Sequence, residues 1–571
     1  MKQILIITIL ALIQMSFSGC HKSGGSKNSS GETGDKVQKG DPYLPAAAKY
    51  VGSEQCASCH FNYFVGWSKS LHNKPLKTFA ELGTTILVND HNNNGLNDFQ
   101  DGLNFNDPNF ATTYGYTNPF SARIPNAPIL STDGSKYYIQ IGIAKYEFQR
   151  VQGGNGYWKQ RYHTKIGNAY YVLPVQYNEV LKRYSGYNPT NWWSGGTSTP
   201  LLNAPYGDPL LLQQVSTQLV TSTVGPSASS WDNRCAVCHQ TGLAVEYRET
   251  TPGIWEVVTG YSELNIGCES CHGPGEDHVT SANPADIINP QNYLTEGRVG
   301  LYKAAEVCGR CHQRGEGLAQ FIGTLGTVQK KVEAPAKLVA SSFTKAAFPV
   351  LGESILSYYN DAVGVWVTAG NGAASKTGTY DTITNFPVYE ASNQHHQQWE
   401  DMEQWKHGAS KQGVLSQLTC WSCHDMHSVT KPHLMRASIN NLPTDVQDNT
   451  LCLACHAGAG TLVGATSLDQ VKYHISQNAA AGGQAKADKI TAANYLQPIK
   501  ADGTQAKYGM NYYRLGSCVS CHMPYTPSSS GVRYNDANGK THGDITNHTM
   551  KIITTSPGGS TCPTSCSGCH S

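Results

Sequence analysis

One short pattern occurs eight times along the chain: two cysteines separated by two residues, with a histidine directly after the second. Two thiols at this spacing beside a histidine are the attachment signature of c-type haem. The cysteines bond to the vinyl groups, and the histidine binds the iron as its proximal ligand. The eight motifs are Cys56/Cys59/His60, Cys235/Cys238/His239, Cys268/Cys271/His272, Cys308/Cys311/His312, Cys420/Cys423/His424, Cys452/Cys455/His456, Cys518/Cys521/His522 and Cys566/Cys569/His570.

Other uses of paired cysteines do not explain the pattern. A zinc ribbon needs two cysteine pairs but has no reason for a histidine after each one. A redox dithiol uses a single motif, and a disulfide framework does not require histidine at every copy. We therefore predict eight covalently bound haem c groups.

The composition favours a haem-packed fold. The chain has 571 residues, of which 57 are glycine and 39% are hydrophobic, so the conventional core is limited. We expect a multihaem cytochrome c fold, in which short α-helices and loops wrap around covalent haems with little regular structure. Two long intervals between motifs contain alternating apolar and polar residues, which predict β-rich haem-free insertions.

These features divide the chain into seven segments. Residues 231–315 carry three motifs and 391–571 carry four, while 50–80 carry the first. The remaining segments are a lipoprotein-type signal at 1–20, a flexible tether at 21–49, a β-rich insertion at 81–230 and a second β-rich insertion at 316–390.

The N-terminus predicts export. Lys2 precedes an apolar stretch, and a small residue stands before Cys20 as in a bacterial lipoprotein cleavage site. We expect lipidation of Cys20 and anchoring at the outer membrane or cell surface, with simple secretion or a periplasmic location as the alternative. The formal charge of +1 gives no argument for nucleic-acid binding.

Thirteen of the 21 histidines lie outside the motifs, more than eight irons need as sixth ligands. His278 follows His272 across a Gly-Pro-Gly turn and is expected to reach a neighbouring haem. His427 lies too close to His424 to clamp the same iron and should also serve a second haem. The main distal candidates are His72, His278, His407, His427, His474 and His548. The second-rank candidates are His163, His395, His396, His433 and His542.

One polar loop in the first insertion fits a calcium site. It places oxygen ligands at loop positions 1, 3, 5, 7, 9 and 12 with glycine at 6. An aspartate at position 12 departs from the usual glutamate, so a solvated Asn/Asp-rich loop is the alternative. The predicted Ca²⁺ ligands are Asp90, Asn92, Asn94, the carbonyl of Leu96, Asp98 and Asp101.

The motifs resemble a known superfamily. CAVCHQTGL, GCESCHGPGEDHV, EVCGRCHQRG, LTCWSCHDMHS, LCLACH and SCVSCHMP follow one another as they do in the multihaem superfamily of tetrahaem electron carriers and hydroxylamine oxidoreductase. The combination also resembles outer-surface cytochromes of metal-respiring bacteria. The resemblance implies distal ligation by His72, His278, His407, His427 and His474.

Three functions remain open from the sequence. The leading one is electron transfer through bis-histidine haems in extracytoplasmic or extracellular respiration, with other cytochromes, a mineral or an electrode as partners. The first alternative is a reductase of a small nitrogen or sulfur oxo-compound with one open haem. The second is a homo-oligomer or conductive filament, for which Cys562 offers an intermolecular disulfide, although a free thiol is the simpler interpretation.

Overall fold

Helices in this protein are short, and many of them begin or end at a cysteine motif. In the computed structural model, the helices are α1 Ser53–Ala57, α2 Phe61–Ser68, α3 Phe110–Tyr114, α4 Pro209–Thr221, α5 Trp231–Arg234, α6 Ala236–His239, α7 Glu269–His272, α8 Glu276–Ser281, α9 Gly297–Gly309, α10 Gln398–Glu403, α11 Cys420–Cys423, α12 Thr450–His456, α13 Ser467–Ser476, α14 Gly483–Lys489 and α15 Cys518–His522. The longest have 13 residues. Among the described residues, no helix combines the length and apolar character needed to cross a bilayer.

The described part of the chain has gaps. The structure describes residues 49–79, 87–155, 159–179, 181–221, 230–312, 316–317, 359–360, 396, 398–403, 418–428, 431–445, 448–456, 466–477, 483–493, 495, 498–500, 512–514, 516–523, 534–535, 541–542, 545–548 and 550. All of them belong to one unit, Asp35–Ser571. Most of the predicted second insertion at 316–390 lies outside these residues.

The first insertion is built from antiparallel strands, as its alternating sequence predicts. A three-stranded sheet has the order β2-β3-β4, and a five-stranded sheet has the order β1-β5-β6-β7-β8. The strands are β1 Leu76–Thr78, β2 Ile129–Thr132, β3 Tyr137–Ile141, β4 Ala144–Glu147, β5 Arg150–Gln152, β6 Lys159–Ile166, β7 Ala169–Asn178 and β8 Arg183–Gly186. Strand β1 follows the first cysteine motif and pairs with β5, so it ties that segment to the sheet.

Aromatic rings fill the core of this β-rich region. Phe148 lies 5.0 Å from Phe99 and 4.9 Å from Tyr162, measured between ring centroids. Such pairs contribute about 0.5–1.5 kcal/mol each beyond the burial of their area. Successive strand residues point to opposite faces, so Tyr162 enters this core while His163 points to the other face of the sheet.

A hairpin and a helix join the sheets to the second and third motifs. Strands β9 Ala244–Thr251 and β10 Ile254–Gly260 pair between these motifs, and helix α4 packs on β10. Helix α5, just before the second motif, packs on β7. The remaining strands form two-stranded pairs: β11 Glu316–Gly317 with β12 Tyr359–Asn360, β13 Ser438–Ile439 with β14 Leu442–Pro443, β15 Pro498–Lys500 with β16 Tyr512–Arg514, and β17 Tyr534–Asn535 with β18 Thr541–His542.

Candidate haem-binding sites

The cysteine motifs adopt helical turns. The N–H of His60 donates to the carbonyl of Cys56 at 2.8 Å, and the same bond joins His424 to Cys420 at 2.9 Å. A turn of this kind places the two cysteines three residues apart on one face, with the histidine beside them. Seven motifs are described in this way. Cys566, Cys569 and His570 of the eighth motif lie outside the described residues, as do Cys20 and Cys562.

The second cysteine of a motif lies close to the first even where the helix has already ended. Cys308 belongs to helix α9, whereas Cys311 lies in the turn beyond it, and the N–H of Cys311 donates to the carbonyl of Cys308 at 3.1 Å. Cys521 lies inside helix α15 with Cys518. All four thiols are half-buried. The pKa of Cys308 is raised mainly by Cys420 and by burial, with a smaller contribution from Cys311. The pKa of Cys518 is raised mainly by Cys452 and by burial, with a smaller contribution from Cys521. Thioether attachment of haem at Cys311 and Cys521 stays a prediction.

Five motif histidines each face another histidine at nearly one separation. The five pairs and their ring-centroid distances are His60–His278 at 6.3 Å, His72–His312 at 6.3 Å, His272–His427 at 6.1 Å, His424–His548 at 6.4 Å and His474–His522 at 6.1 Å. A metal binds imidazole nitrogen at about 2 Å, and the centroid lies about 1 Å behind that nitrogen, so one iron between two rings needs roughly 6 Å. The donor set therefore fits bis-histidine haem at five motifs.

Hydrogen bonds orient several of these rings. The Nδ1–H of His272 donates to the carbonyl oxygen of Ile288 at 2.9 Å, and that of His278 donates to Asn283 at 2.9 Å. A carbonyl oxygen only accepts, so Nδ1 carries the proton and Nε2 keeps the lone pair that binds metal. In the same way, Nδ1–H donates to a backbone carbonyl oxygen in three further rings: His424 to His433, His522 to Met550 and His548 to Thr546.

In five of the facing rings, burial favours the neutral form, which is the form that binds iron. Burial lowers the pKa of His72 and of His424 to about 4 each, and that of His548 to about 3, with smaller contributions from neighbouring histidines. Burial also lowers the pKa of His272 and His427. No proton therefore has to leave these rings near neutral pH before they bind metal.

The facing histidine comes each time from outside its partner's motif. His278 follows the third motif yet faces the first, and His427 follows the fifth yet faces the third. His72 follows the first motif and faces His312 of the fourth. Each pair thus ties two distant parts of the chain together.

Two of the predicted second-rank histidines lie near the second motif. His239 lies 5.6 Å from His396 in an edge-on arrangement, and His396 is also 5.9 Å from His312. His163 is fully buried and lies 4.5 Å from Trp231, which in turn is 5.3 Å from His239. The structure therefore brings His163 and His396 toward the second motif.

The other predicted histidines have varied positions. His433 offers its backbone carbonyl to His424, and burial lowers the pKa of its own side chain. His542 lies on β18, opposite Tyr534. His395 and His407 lie outside the described residues, so their predicted role stays a prediction.

Thiol contacts show which motifs are neighbours. The first cysteines form three interacting pairs, in which one thiol shifts the pKa of the other: Cys56 with Cys268, Cys308 with Cys420, and Cys452 with Cys518. The pKa of Cys308 is raised by Cys420, by burial and, to a smaller extent, by Cys271 of the third motif. Burial raises the pKa of Cys423 to about 11, with help from Cys452 and Cys455 of the sixth. The neighbours thus run from motif one to three, four, five, six and seven.

Two carboxylates that the sequence does not single out hold the first and third motifs together. Glu269 accepts hydrogen bonds from the N–H groups of Val51 and Gly52, at 2.9 and 2.7 Å. Glu263 accepts from the hydroxyl of Ser53 at 2.8 Å. These contacts join residues more than two hundred positions apart, so no local sequence pattern predicts them.

The predicted calcium loop is closed by its own hydrogen bonds. Asp90 accepts from the N–H groups of Asn94 and Gly95, and Asp101 accepts from the Asn92 and Asn94 amides. Asp98 is buried and accepts from Tyr184 at 2.8 Å. It also contacts His91 at 2.6 Å, and the ligand atoms of His91, Asp98 and Asp101 lie within 4.8 Å of one another. The calcium assignment stays a prediction.

Comparison with known proteins agrees with the cysteine motifs. The family model of cytochrome c554 and c-prime matches residues 212–273, which include the second and third motifs. The outer cell wall cytochrome OcwA aligns with 91% of this chain and 84% of its own, at 18% identity and a TM-score of 0.47. The undecaheme cytochrome from the S-layer of Carboxydothermus ferrireducens aligns with 85% of this chain and 52% of its own, at 16% identity and a TM-score of 0.32. No curated protein matches the chain.

The repeated attachment motif and the family match together define a class. The chain is a multihaem c-type cytochrome, and proteins of this class transfer electrons.

Proposed function

We propose that the chain is an octahaem cytochrome that relays electrons between haems attached at successive motifs, in extracytoplasmic or extracellular respiration. The observation that carries the proposal is the set of five histidine pairs at 6.1–6.4 Å. Such a pair leaves no coordination position open for a substrate. The assembly is therefore built for outer-sphere electron exchange rather than for chemistry on a bound molecule.

The residues of the chain have three tasks in this function. Bound haem supplies the one-electron redox couple, and the protein supplies attachment, ligands and spacing. The cysteines fix the attachment points, and the thiol contacts between Cys56 and Cys268 and between Cys308 and Cys420 bring those points together. The facing histidines provide the iron ligands. We infer that electrons follow the motif order one, three, four, five, six, seven.

The first test is a haem count with a spin-state inventory. Mass spectrometry of the purified protein should give the mass of the processed chain plus eight haems. Electron paramagnetic resonance of the oxidised protein should show low-spin signals for the five paired haems. A mass without haem, or high-spin iron at more than three sites, would overturn the proposal.

A single ligand can be tested with a matched control. His427→Ala should convert one haem from low-spin to high-spin, because it removes the ring that faces His272 at 6.1 Å. Added imidazole should restore the low-spin signal by filling the space. The control is Leu442→Ala, which truncates an exposed side chain of the same four-haem segment. Equal spectra for both variants would count against the assignment of His427.

A reductase with one open haem is the alternative that the sequence leaves. The second motif is one place to test it, where His396 lies edge-on at 5.6 Å from His239. The discriminating measurement is carbon monoxide binding to the reduced protein. One equivalent bound, and lost when the second motif is removed by Cys235→Ser with Cys238→Ser, would favour a reductase of a small nitrogen or sulfur oxo-compound.

Location and partners extend the proposal. The N-terminal signal pattern supports export, and lipidation at Cys20 supports anchoring at the outer membrane or cell surface. We propose other cytochromes, a mineral or an electrode as redox partners. A filament made through the eighth motif and Cys562 concerns residues outside the described parts, and electron microscopy of concentrated protein tests it. Labelling with radioactive palmitate, absent in Cys20→Ser, tests the anchor.

A further inference from the structure

Helix α2 begins directly after the first motif and carries three residues on one face. Tyr63, Gly66 and Trp67 have the spacing i, i+3 and i+4, which brings them together along one side of a helix. The N-cap of this helix is His60, the predicted proximal ligand of the first haem. We call Tyr63, Gly66 and Trp67 the α2 face.

The α2 face contacts His427, which comes from the chain beyond the fifth motif. The ring of Tyr63 lies 4.8 Å from the ring of His427, measured between centroids. Gly66 lies against the backbone of His427. A Cβ added at Gly66 would stand 2.8 Å from the carbonyl carbon of His427 and closer still to its oxygen. Helix α2 therefore touches both the ring and the backbone of this histidine.

The backbone conformation does not explain why residue 66 is glycine. Gly66 lies inside helix α2, and its φ is outside the left-handed region that favours glycine. Glycine also weakens a helix interior relative to alanine, because it loses more backbone entropy on folding. The close approach of His427 does explain it, since any side chain at this position would push the His427 backbone away from the helix.

The same face also contacts the segment that leads into the third motif. The indole N–H of Trp67 donates to the carbonyl oxygen of Ile266 at 2.8 Å. Ile266 lies two residues before the first cysteine of the third motif. One short helix thus contacts both the third motif and the histidine that faces its proximal ligand.

The ring of His427 is held by packing. In His272 and His278, by comparison, Nδ1–H donates to a backbone carbonyl oxygen. Among the residues that the structure describes, none forms a hydrogen bond with the ring of His427, whose backbone N–H donates to Asp425 at 3.1 Å. The contact with Tyr63 therefore orients this ring, which lies 6.1 Å from the ring of His272.

We propose that helix α2 positions His427 on the iron of the third haem. Gly66 sets how closely the backbone of His427 approaches, and Tyr63 sets the orientation of its ring. This inference rests on the proposed ligation of that iron by His272 and His427. Because the helix begins at His60, an element that belongs to the first haem seats the distal ligand of the third. The axial ligation of the third haem therefore depends on the structure around the first.

The variant Gly66→Ala tests the close approach. The added methyl group should push His427 off the iron, so one haem equivalent should change from low-spin to high-spin in electron paramagnetic resonance. The haem count should stay unchanged, and added imidazole should restore the low-spin signal. A spectrum that stays fully low-spin would contradict the proposal.

The matched control is Gly300→Ala on helix α9. A Cβ at Gly300 would stand 2.8 Å from the carbonyl carbon of Tyr293 and closer still to its oxygen, so the crowding is similar but involves no iron-facing histidine. This variant should remain low-spin. An equal gain of high-spin signal in both variants would mean general loosening of the fold and would also contradict the proposal.

Tyr63 offers a test that adds no crowding to the helix. Its side chain is 58% exposed, so truncation should leave the fold intact. Tyr63→Ala should shift the low-spin g values of one haem, because these depend on the angle between the two imidazole planes. Tyr63→Phe should keep the native g values, since the ring and not the hydroxyl contacts His427. Native g values in Tyr63→Ala would show that Tyr63 does not orient the ligand.

The variant His427→Ala separates this inference from the proposed function. If it stays fully low-spin, His427 is not an iron ligand and the proposed ligation fails. If it gains high-spin iron while Gly66→Ala and Tyr63→Ala keep the native spectrum, His427 is the ligand and helix α2 does not position it.

Discussion

Each iron-facing histidine has a second nitrogen, and the partner of that nitrogen affects how strongly the ring binds metal. In His272, His278 and His424 the partner is a backbone carbonyl, which no substitution removes. His312 differs, because its Nδ1 donates to the side-chain oxygen of Gln398 at 3.1 Å. Gln398 begins helix α10, far from the fourth motif in sequence. It is therefore a residue through which ligand basicity can be changed without touching the ligand.

Two substitutions of Gln398 should shift the reduction potential of the haem at the fourth motif in opposite directions. Gln398→Glu should lower the potential of the haem at the fourth motif, since a carboxylate accepts the Nδ1–H more strongly and makes His312 a better donor to iron. Gln398→Leu should raise it, and should lower the free energy of unfolding by about 1–3 kcal/mol through the unsatisfied N–H. Spectroelectrochemical titration and urea unfolding measure the two effects.

The control for this prediction is Gln484→Leu, an exposed position on α14. Shifts of the same sign for Gln398→Glu and Gln398→Leu would mean that helix α10 had moved and that the hydrogen bond does not set the potential.

Attachment residues could be predicted from the sequence, and their partners only in part. Cys56, Cys59 and His60 interact within one helical turn, so the spacing itself carries the information. The pairing of His72 with His312 depends on chain folding over a long separation, and the sequence offers only the presence of both rings. No sequence pattern marks Gln398 as the partner of His312, because any nearby carbonyl oxygen can accept the hydrogen bond from Nδ1.

At the scale of elements, protonation of His91 and the predicted binding of Ca²⁺ compete within the loop from Asp90 to Asp101. The pKa of His91 is raised, first by its hydrogen bond to Asp98 and against the opposing effect of burial. Protonated His91 therefore stabilises the loop fully below about pH 6.5, the unfolded value, and this stabilisation is lost as pH rises through the raised pKa. Ca²⁺ would need the same Asp98 oxygen.

Calcium affinity should consequently increase with pH. Above the pKa of His91, the Asp98 carboxylate is released from the ion pair and Ca²⁺ binding no longer displaces a proton. Isothermal titration of the holoprotein with Ca²⁺, at one pH below and one above this pKa, measures the effect. Asp101→Asn should weaken binding by about tenfold or more through loss of ligand charge.

Asp107→Asn serves as the control for the calcium prediction, because Asp107 is an aspartate of the same region outside the loop. If the affinity for Ca²⁺ were equal at both pH values and unchanged in the Asp101 variant, the loop would be a solvated Asn/Asp-rich loop and not a calcium site.

Strand prediction succeeded where the pattern was locally regular. The stretch around β6 and β7 alternates and contains turn residues between strands, and it forms antiparallel strands as predicted for the first insertion. The hairpin of β9 and β10 was not predicted, because the short interval between the second and third motifs was assigned wholly to haem packing. Haem-free β structure therefore also stands between closely spaced motifs. The strand-like sequence at 364–390 stays a prediction.

At the scale of the whole molecule, contacts between motifs order them into a line with one side branch. Thiol contacts link the first motif to the third, the fourth to the fifth and the sixth to the seventh. Among the contacts of the described residues, the second motif joins this line through His396, which lies 5.6 Å from His239 and 5.9 Å from His312. Two motifs that are equal in chemistry thus differ in their place, one within the line and one beside it.

This difference predicts unequal effects from removing one haem. The double variant Cys420→Ser with Cys423→Ser should cut the line at the fifth motif, whereas Cys235→Ser with Cys238→Ser should leave it continuous. Coupling the protein to an electrode through Asn62, exposed on α2 beside the first motif, makes electrons enter at one end. Voltammetry then counts the haems that exchange electrons. Without the second haem all remaining haems should respond, and without the fifth only those attached at the first four motifs should respond. Each variant lacks one haem, so each is the control for the other, and equal counts would mean that electrons do not follow this order.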